Sequence, residues 1–333
     1  MPQINQKQAK EFLDKISKLD TVAIMFHNDL DGFASGIILS DFCEKKGAKT
    51  IPIPFTMTDD QNRAIKEIGQ ANKILIADLA PTEVVKVLEA MKNRQVFYTD
   101  HHIKEIELPK EINELRTISD ISSSKTLYQI LGGREWLKIF SEFADAGWKQ
   151  EANKKYIDKF LKDNELTFQQ FLERYDYKFD RTITYFHKDL KKAFETLNKI
   201  ESLKDFKSLN KYNKAVGEEI NRFITEFESK KEKIGDIYFY YFEPEFPIKS
   251  AVINEISYAN PNETFIFAVP KDDRVSLSAR NQNRKENMVE ILKKATENIE
   301  NANVGGHIPA AGAKVPRKML QKVRENLQKM AKK

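Results

Sequence analysis

Between residues 20 and 102, short apolar runs alternate with amphipathic stretches. TVAIMF (21–26), TIPIPF (50–55), KILIAD (73–78) and QVFYTD (95–100) are brief and rich in β-branched or aromatic residues, which predicts buried strands. The intervening spacing predicts a helix that begins after Gly32 and ends near Gly47, a second over about 59–71, and a third that starts at Pro81 and runs on through TEVVKVLEAMKNR. Gly47 suits a helix C-terminus, and Pro81, with a fixed φ and no N–H, suits a first turn. This alternation implies right-handed crossovers and an α/β fold with a doubly wound, mainly parallel sheet, whose ligand groups gather at the carboxyl ends of the strands.

A second set of strands is predicted at 236–242, 264–269 and 274–279, with helices over about 249–259 and 285–299 and a last helix from about 316. The aromatic run 238–242 reads mainly as sheet core. Between the two sets, residues 151–234 are rich in Lys, Glu and Phe at helical spacing, consistent with amphipathic helices with a solvated face. The expected organisation is a first α/β domain over 1–150, a helical insertion and connector over 151–234, and a smaller α/β domain over 235–333.

Composition narrows the class. The chain has 333 residues, 41% hydrophobic and 32% charged, enough for two cores. A net charge of +5 is too mild to argue for nucleic acid by itself. Cys43 is the only cysteine, which excludes an intrachain disulfide framework and fits a reducing compartment. With no run of 18 apolar residues and no signal-peptide core, the expectation is a cytoplasmic protein without a membrane segment.

The chemistry sits at the strand ends. His27, Asp29 and Asp31 follow the first strand, Asp78 ends the third, and Asp100, His101 and His102 end the fourth. Three of the chain's five histidines fall in these acidic clusters, a conjunction that outweighs the alternative of isolated helix caps. In an extended segment, residues two and four apart point to one side, so the first triplet is expected to converge. Carboxylate and imidazole ligands without thiolates suit Mn²⁺, Mg²⁺ or Zn²⁺.

HNDLDG (27–32), the aspartate of ADLAP (Asp78), TDHH (99–102) and SEFADAGW (141–148) resemble the four motifs of the DHH phosphoesterase superfamily, and NVGGHIPAAGAKV (303–315) resembles the signature of the DHH-associated domain. The resemblance implies two divalent ions, Mn²⁺ first and Mg²⁺ second. His27 and Asp29 would hold one, Asp31, His101 and Asp145 the other, and Asp78 would bridge them; Asp100 and His102 would contact phosphate or support the ligands. A pair of ions about 3.5–4 Å apart serves phosphodiester hydrolysis without a serine or cysteine nucleophile. Arg280 and the loop Gly305, Gly306, His307 would grip substrate phosphates.

Within the superfamily the chain resembles RecJ-like nucleases, especially compact archaeal forms. That implies an exonuclease acting on single-stranded DNA or RNA. The alternatives are an oligoribonuclease of the nano-RNase type, acting on very short oligonucleotides or linear dinucleotides, and a replication or repair scaffold whose protein partner docks on 151–234.

Overall fold

The computed structural model describes residues 4–56, 59–102, 106–117 and 120–331. The chain divides into two compact units, one up to Asn213 and one from Lys214 onward.

The first unit is built on five parallel strands: β1 (Thr21–His27), β2 (Lys49–Phe55), β3 (Lys73–Ala77), β4 (Gln95–Asp100) and β5 (Asn113–Arg116), in the order β2-β1-β3-β4-β5. Alternation along β1 sends its side chains to opposite faces. Val22, Ile24 and Phe26 join a core shared with the helix Leu30–Lys45 and with helices between 123 and 209, while Ala23 and Met25 join a core with the helices Gln61–Ile68 and Val85–Met91. With both faces covered, the central strands β1, β3 and β4 are mostly apolar, as the sequence pattern predicts. The chain leaves β1 toward β2 on one side and returns to β3 on the other. Strand order therefore reverses between β1 and β3, and their carboxyl ends flank a crevice.

Several local expectations change. The helix after β1 starts at Leu30, not after Gly32, because Asp29 caps it: the Asp29 carboxylate accepts the Gly32 N–H at 3.0 Å. Asp31 therefore lies in a first helical turn and not on an extended segment. The helix expected over 59–71 covers Gln61–Ile68, and the one expected from Pro81 is a short 3₁₀ turn (Pro81–Glu83), broken at Val84 before Val85–Met91. The short strand NELR (113–116) carries two charged side chains and escapes an apolar pattern, yet it completes the sheet.

Helices between 151 and 209 pack onto this unit. Phe171, Phe179 and Phe206 lie around Trp136 and Phe140, with ring centroids 5.2–6.0 Å apart, so these aromatics form core.

The second unit is a mixed six-stranded sheet: β6 (Glu232–Ile234), β7 (Ile237–Tyr241), β8 (Thr264–Lys271), β9 (Arg274–Arg280), β10 (Asn303–His307) and β11 (Ala310–Pro316), ordered β10-β11-β9-β8-β7-β6. Only β7 and β8 run parallel, joined by the crossover helix Lys249–Ala259. The helices Met288–Ala295 and Leu320–Ala331 cover one face; Asn210–Lys230 and Lys249–Ala259 cover the β7–β8 half of the other. Phe239 and Tyr240 are fully buried, so the aromatic run is sheet core. The segment 305–307, expected as a loop, is the edge strand β10. Its glycines have low strand propensity, but pairing with β11 overrides it. Gly306 sits at φ +135°, and a Cβ there would lie 2.5 Å from the Ala310 carbonyl oxygen.

Gly36 faces Phe26 so closely that a Cβ would lie 2.6 Å from its ring. Gly36→Ala gains about 1 kcal/mol of helix propensity but overpacks a core site at about 1–3 kcal/mol. Net destabilisation is expected in urea denaturation, and a stabilised variant would contradict this packing.

Candidate metal centre

The strand ends bring the predicted residues of the first unit into one cluster. His27, the last residue of β1, places Nδ1 2.7 Å from Asp29 Oδ2 and 4.0 Å from Asp78 Oδ2. His101 Nε2 lies 3.3 Å from Asp78 Oδ1, 3.3 Å from Asp145 Oδ2 and 4.0 Å from Asp31 Oδ2. Three groups offer ligand atoms within 4.8 Å of one another: His27, Asp29 and Asp78; Asp31, Asp78, His101 and Asp145; and Asp78, His101 and His102. Asp78 is common to all three.

The backbone makes this convergence. Asp78 follows β3 directly in the left-handed region (φ 58°), and its N–H donates to Thr99 O at 3.0 Å. The turn swings its carboxylate out of the sheet's alternation and toward the crevice. Asp145 lies in a second left-handed turn (φ 52°, ψ 40°) after the helix Glu135–Phe143. Both are aspartates, among the few non-glycine residues that tolerate this conformation.

Asp31 is buried and held by three donors: Ser123 N–H at 2.8 Å, Ser124 N–H at 2.9 Å and the Ser124 hydroxyl. These donors begin the helix Ser123–Leu131, so Asp31 also meets the positive end of a helix dipole. Asp100 Oδ1 meets His102 Nδ1 at 2.7 Å, and its Oδ2 is 3.3 Å from Arg116 Nη1, which also donates to His102 O. Both oxygens of buried Asp78, by contrast, have no hydrogen-bond partner among the described residues.

The electrostatics follow. Burial, then the charges of Asp31, Asp29, Asp145 and Asp100, push the Asp78 carboxyl well above its ordinary range. Burial and the charges of Asp31 and Asp29 raise Asp145 to about 8. Burial would raise Asp29 and Asp100 too, but the His27 contact in one case and the His102 and Arg116 contacts in the other outweigh it and lower both. His102 is raised by its hydrogen bond to Asp100; His27 is raised because Asp29 outweighs the opposing effect of burial. Glu83, whose carboxyl is raised by burial, adds a negative charge within reach of both histidines.

Sequence reasoning missed Ser123, Ser124, Arg116 and Glu83. The serine run ISSSKT is a helix-start signal that could have been found; Arg116 and Glu83 carry no local signal. In the second unit, Arg280 ends β9, donates from Nε to Asn254 Oδ1 at 2.9 Å and pairs across the sheet with Ala310, which pairs with His307. Gly305, Gly306 and His307 are exposed on β10.

Residues 21–160 match the model of the DHH family N-terminal domain, and residues 240–333 match that of the DHHA1 domain. The chain belongs to the DHH superfamily. Every residue of the strand-end cluster falls within the DHH match, and Arg280 and 305–307 fall within the DHHA1 match. The fold resembles that of exonuclease RecJ bound to manganese (TM-score 0.72, 14% identity, covering 100% of this chain and 96% of that one). It also resembles RecJ in complex with Mn²⁺ from Thermus thermophilus (TM-score 0.70, 15% identity, covering 100% and 55%), so the chain spans about half of that protein. CDC45 from Entamoeba histolytica shares the fold more loosely (TM-score 0.55, 11% identity, covering 98% and 97%). No curated protein matches the chain. Among the described residues no helix is long and apolar enough to cross a membrane.

The raised carboxyls give a pH dependence with a definite sign. Native Asp78 and Asp145 keep protons that the unfolded chain has already released, so their contribution to stability falls as pH rises above the ordinary carboxyl range. A bound divalent ion must displace those protons, and its affinity rises over the same interval. The difference in melting temperature between Mn²⁺ and EDTA is expected to grow from about pH 5.5 to about pH 8; a difference that stays flat would refute the assignment.

Proposed function

We propose that this DHH phosphoesterase is a metal-dependent exonuclease that hydrolyses single-stranded DNA or RNA from an end. The observation that carries the reading is Asp78: a buried carboxylate, shared by all three ligand groups, whose two oxygens have no hydrogen-bond partner among the described residues. Burying such a group costs several kcal/mol unless something completes it, and hard oxygen and imidazole donors suit Mn²⁺ or Mg²⁺.

In this reading His27, Asp29 and Asp78 hold one ion, and Asp31, Asp78, His101 and Asp145 hold the other. When bound, the pair supplies an activated water and neutralises charge on the phosphoryl and leaving oxygens. The chain's own groups do the rest. Ser123 and Ser124 fix the orientation of Asp31, and Asp100, itself paired with Arg116, orients the His102 imidazole and raises its pKa, to hydrogen-bond a phosphoryl oxygen. Arg280, Gly305, Gly306 and His307 take substrate phosphates.

The direct test is product analysis of end-labelled single strands of about twenty nucleotides, as DNA and as RNA, with Mn²⁺, Mg²⁺ or EDTA. A metal-dependent ladder is expected, lost in Asp29→Ala and His101→Ala; a ladder that survives both substitutions would sink the site. Cleavage confined to the shortest oligomers would identify the nano-RNase alternative instead.

Asp78→Asn is expected to abolish cleavage yet raise the melting temperature of the metal-free protein near pH 8, since it removes the carboxyl that burial and its neighbours oppose. Ser124→Ala is expected to weaken metal binding about 10- to 100-fold, measured by calorimetric titration.

A further inference from the structure

The sheet of the second unit has a face whose two halves differ sharply. Over β7 and β8 it carries Tyr240, Phe242, Phe265 and Phe267, packed under helices. Over β9, β11 and β10, alternation places the partners of the opposite core (Val275, Leu277, Ala279, Ala311, Ala313 and Val304) on the other side. What remains on this side is Ser276, Ser278 and Arg280, then Ala310, Gly312 and Lys314, then Gly305 and His307. The small residues make a low floor, and a Cβ added at Gly305 would meet nothing within 4 Å.

Three cations converge on that floor. Lys249, at the start of the crossover helix, donates from Nζ to Ser276 Oγ at 2.5 Å, and Lys314 is the register partner of Ser276. Arg280 stands four residues along β9 from Ser276, about 13 Å at the rise of a strand, and among the described residues its guanidinium donates to Asn254 and to the Ala279 carbonyl alone. Among the described residues no carboxylate lies within ion-pair distance of Lys249, Arg280 or Lys314. Burial, with Arg280 and Lys314 nearby, lowers the Lys249 ammonium to about 8. Lys249 and Arg280 are half-buried and Lys314 is exposed; cations that repel one another with no carboxylate at ion-pair distance among the described residues describe a site for anions. Tyr258, on the same crossover helix and within electrostatic reach of Arg280, is 65% exposed, unlike the other aromatics of this unit.

We propose that Lys249 and Lys314, bracketing Ser276, form a second phosphate contact beside Arg280, and that Tyr258 stacks a nucleobase between solvent and this cradle. The site thus takes two phosphates of one short strand together with a base. The assignment deepens the nucleic-acid reading above and rests on it. Span and stacking distinguish the occupant from a lone phosphate, which needs neither the lysine pair beside Arg280 nor an aromatic platform.

The test uses the full chain in EDTA, where no hydrolysis intervenes, and a fluorescent 5′-phosphorylated trinucleotide titrated at several salt concentrations. Lys249→Gln with Lys314→Gln is expected to weaken binding and lower the slope of log affinity against log salt by about 0.7 per lost phosphate contact. Tyr258→Ala is expected to weaken binding about 5- to 150-fold at unchanged salt slope, with Tyr258→Phe restoring it. Lys314→Gln alone, at an exposed position, provides the same slope readout should Lys249→Gln fold poorly. Unchanged affinity and slope in the lysine variants would overturn the proposal even if the metal-loaded protein cleaves strands. Loss in those variants, with no cleavage by wild type in Mn²⁺, would retain this site and remove the nuclease reading. Failure of wild type to bind would overturn this site, and the nuclease reading then stands or falls on cleavage in Mn²⁺. Tripolyphosphate that displaces the trinucleotide equally well, with Tyr258→Ala silent, would overturn the nucleotide assignment in favour of a bare polyphosphate site.

Discussion

The first unit is organised around a repulsion. Asp29, Asp31, Asp78, Asp100 and Asp145 converge at the ends of parallel strands and at the turns facing them, and at Asp78 and Asp145 burial and mutual charge both oppose ionisation. Parallel pairing makes the crowding unavoidable, because all five strands discharge their carboxyl ends at the same edge. The fold answers with separate devices: a helix N-terminus and a hydroxyl for Asp31, an imidazole for Asp29, and an imidazole with a guanidinium for Asp100. Asp78 has the His101 imidazole 3.3 Å away but, among the described residues, no hydrogen bond to either oxygen. The compensation is thus incomplete at one central point, the one all the ligand groups share, and the stability forgone there makes the site ready for a cation.

Much of this was legible in the sequence because the strands are buried on both faces. Runs such as TVAIMF and KILIAD announce themselves as continuous apolar segments, and the residues that follow them are then assigned to a known edge. The mode of convergence was not legible. Alternation along an extended segment would bring His27, Asp29 and Asp31 together, whereas the chain turns into a helix at Leu30 and uses Asp29 as both cap and site residue. Whether a carboxylate near a strand end caps a helix or faces a ligand is not an exclusive choice, and local pattern cannot show that one side chain does both. Arg116 and Glu83 escape for a different reason: each acts through neighbours distant in sequence, on elements too short or too polar to stand out.

The second unit shows the opposite balance. Its aromatic strands were visible, but β10 and β11 were not, since NVGGHIPAAGAKV reads as turn material and becomes sheet only through pairing with β9. The composition that conceals those strands also gives the sheet an uncrowded surface. Where β7 and β8 spend their side chains on a hydrophobic layer, β9 to β11 present little beyond hydroxyls, methyls and cationic tips.

The left-handed turns at Asp78 and Asp145 leave a mark on the positions themselves. A side chain there must satisfy backbone sterics as well as chemistry, and only Asp, Asn and Gly adopt that conformation at little cost. Glutamate keeps the charge but strains the turn, and alanine or serine gives up the charge as well, although Ala146 (φ 56°) and Glu165 (φ 52°) show that the chain holds such residues elsewhere in this conformation. A descendant chain that gave up the reaction while keeping the fold would be steered toward Asn or Gly at 78 and 145, and those two letters would separate retired members of the lineage from working ones without any assay.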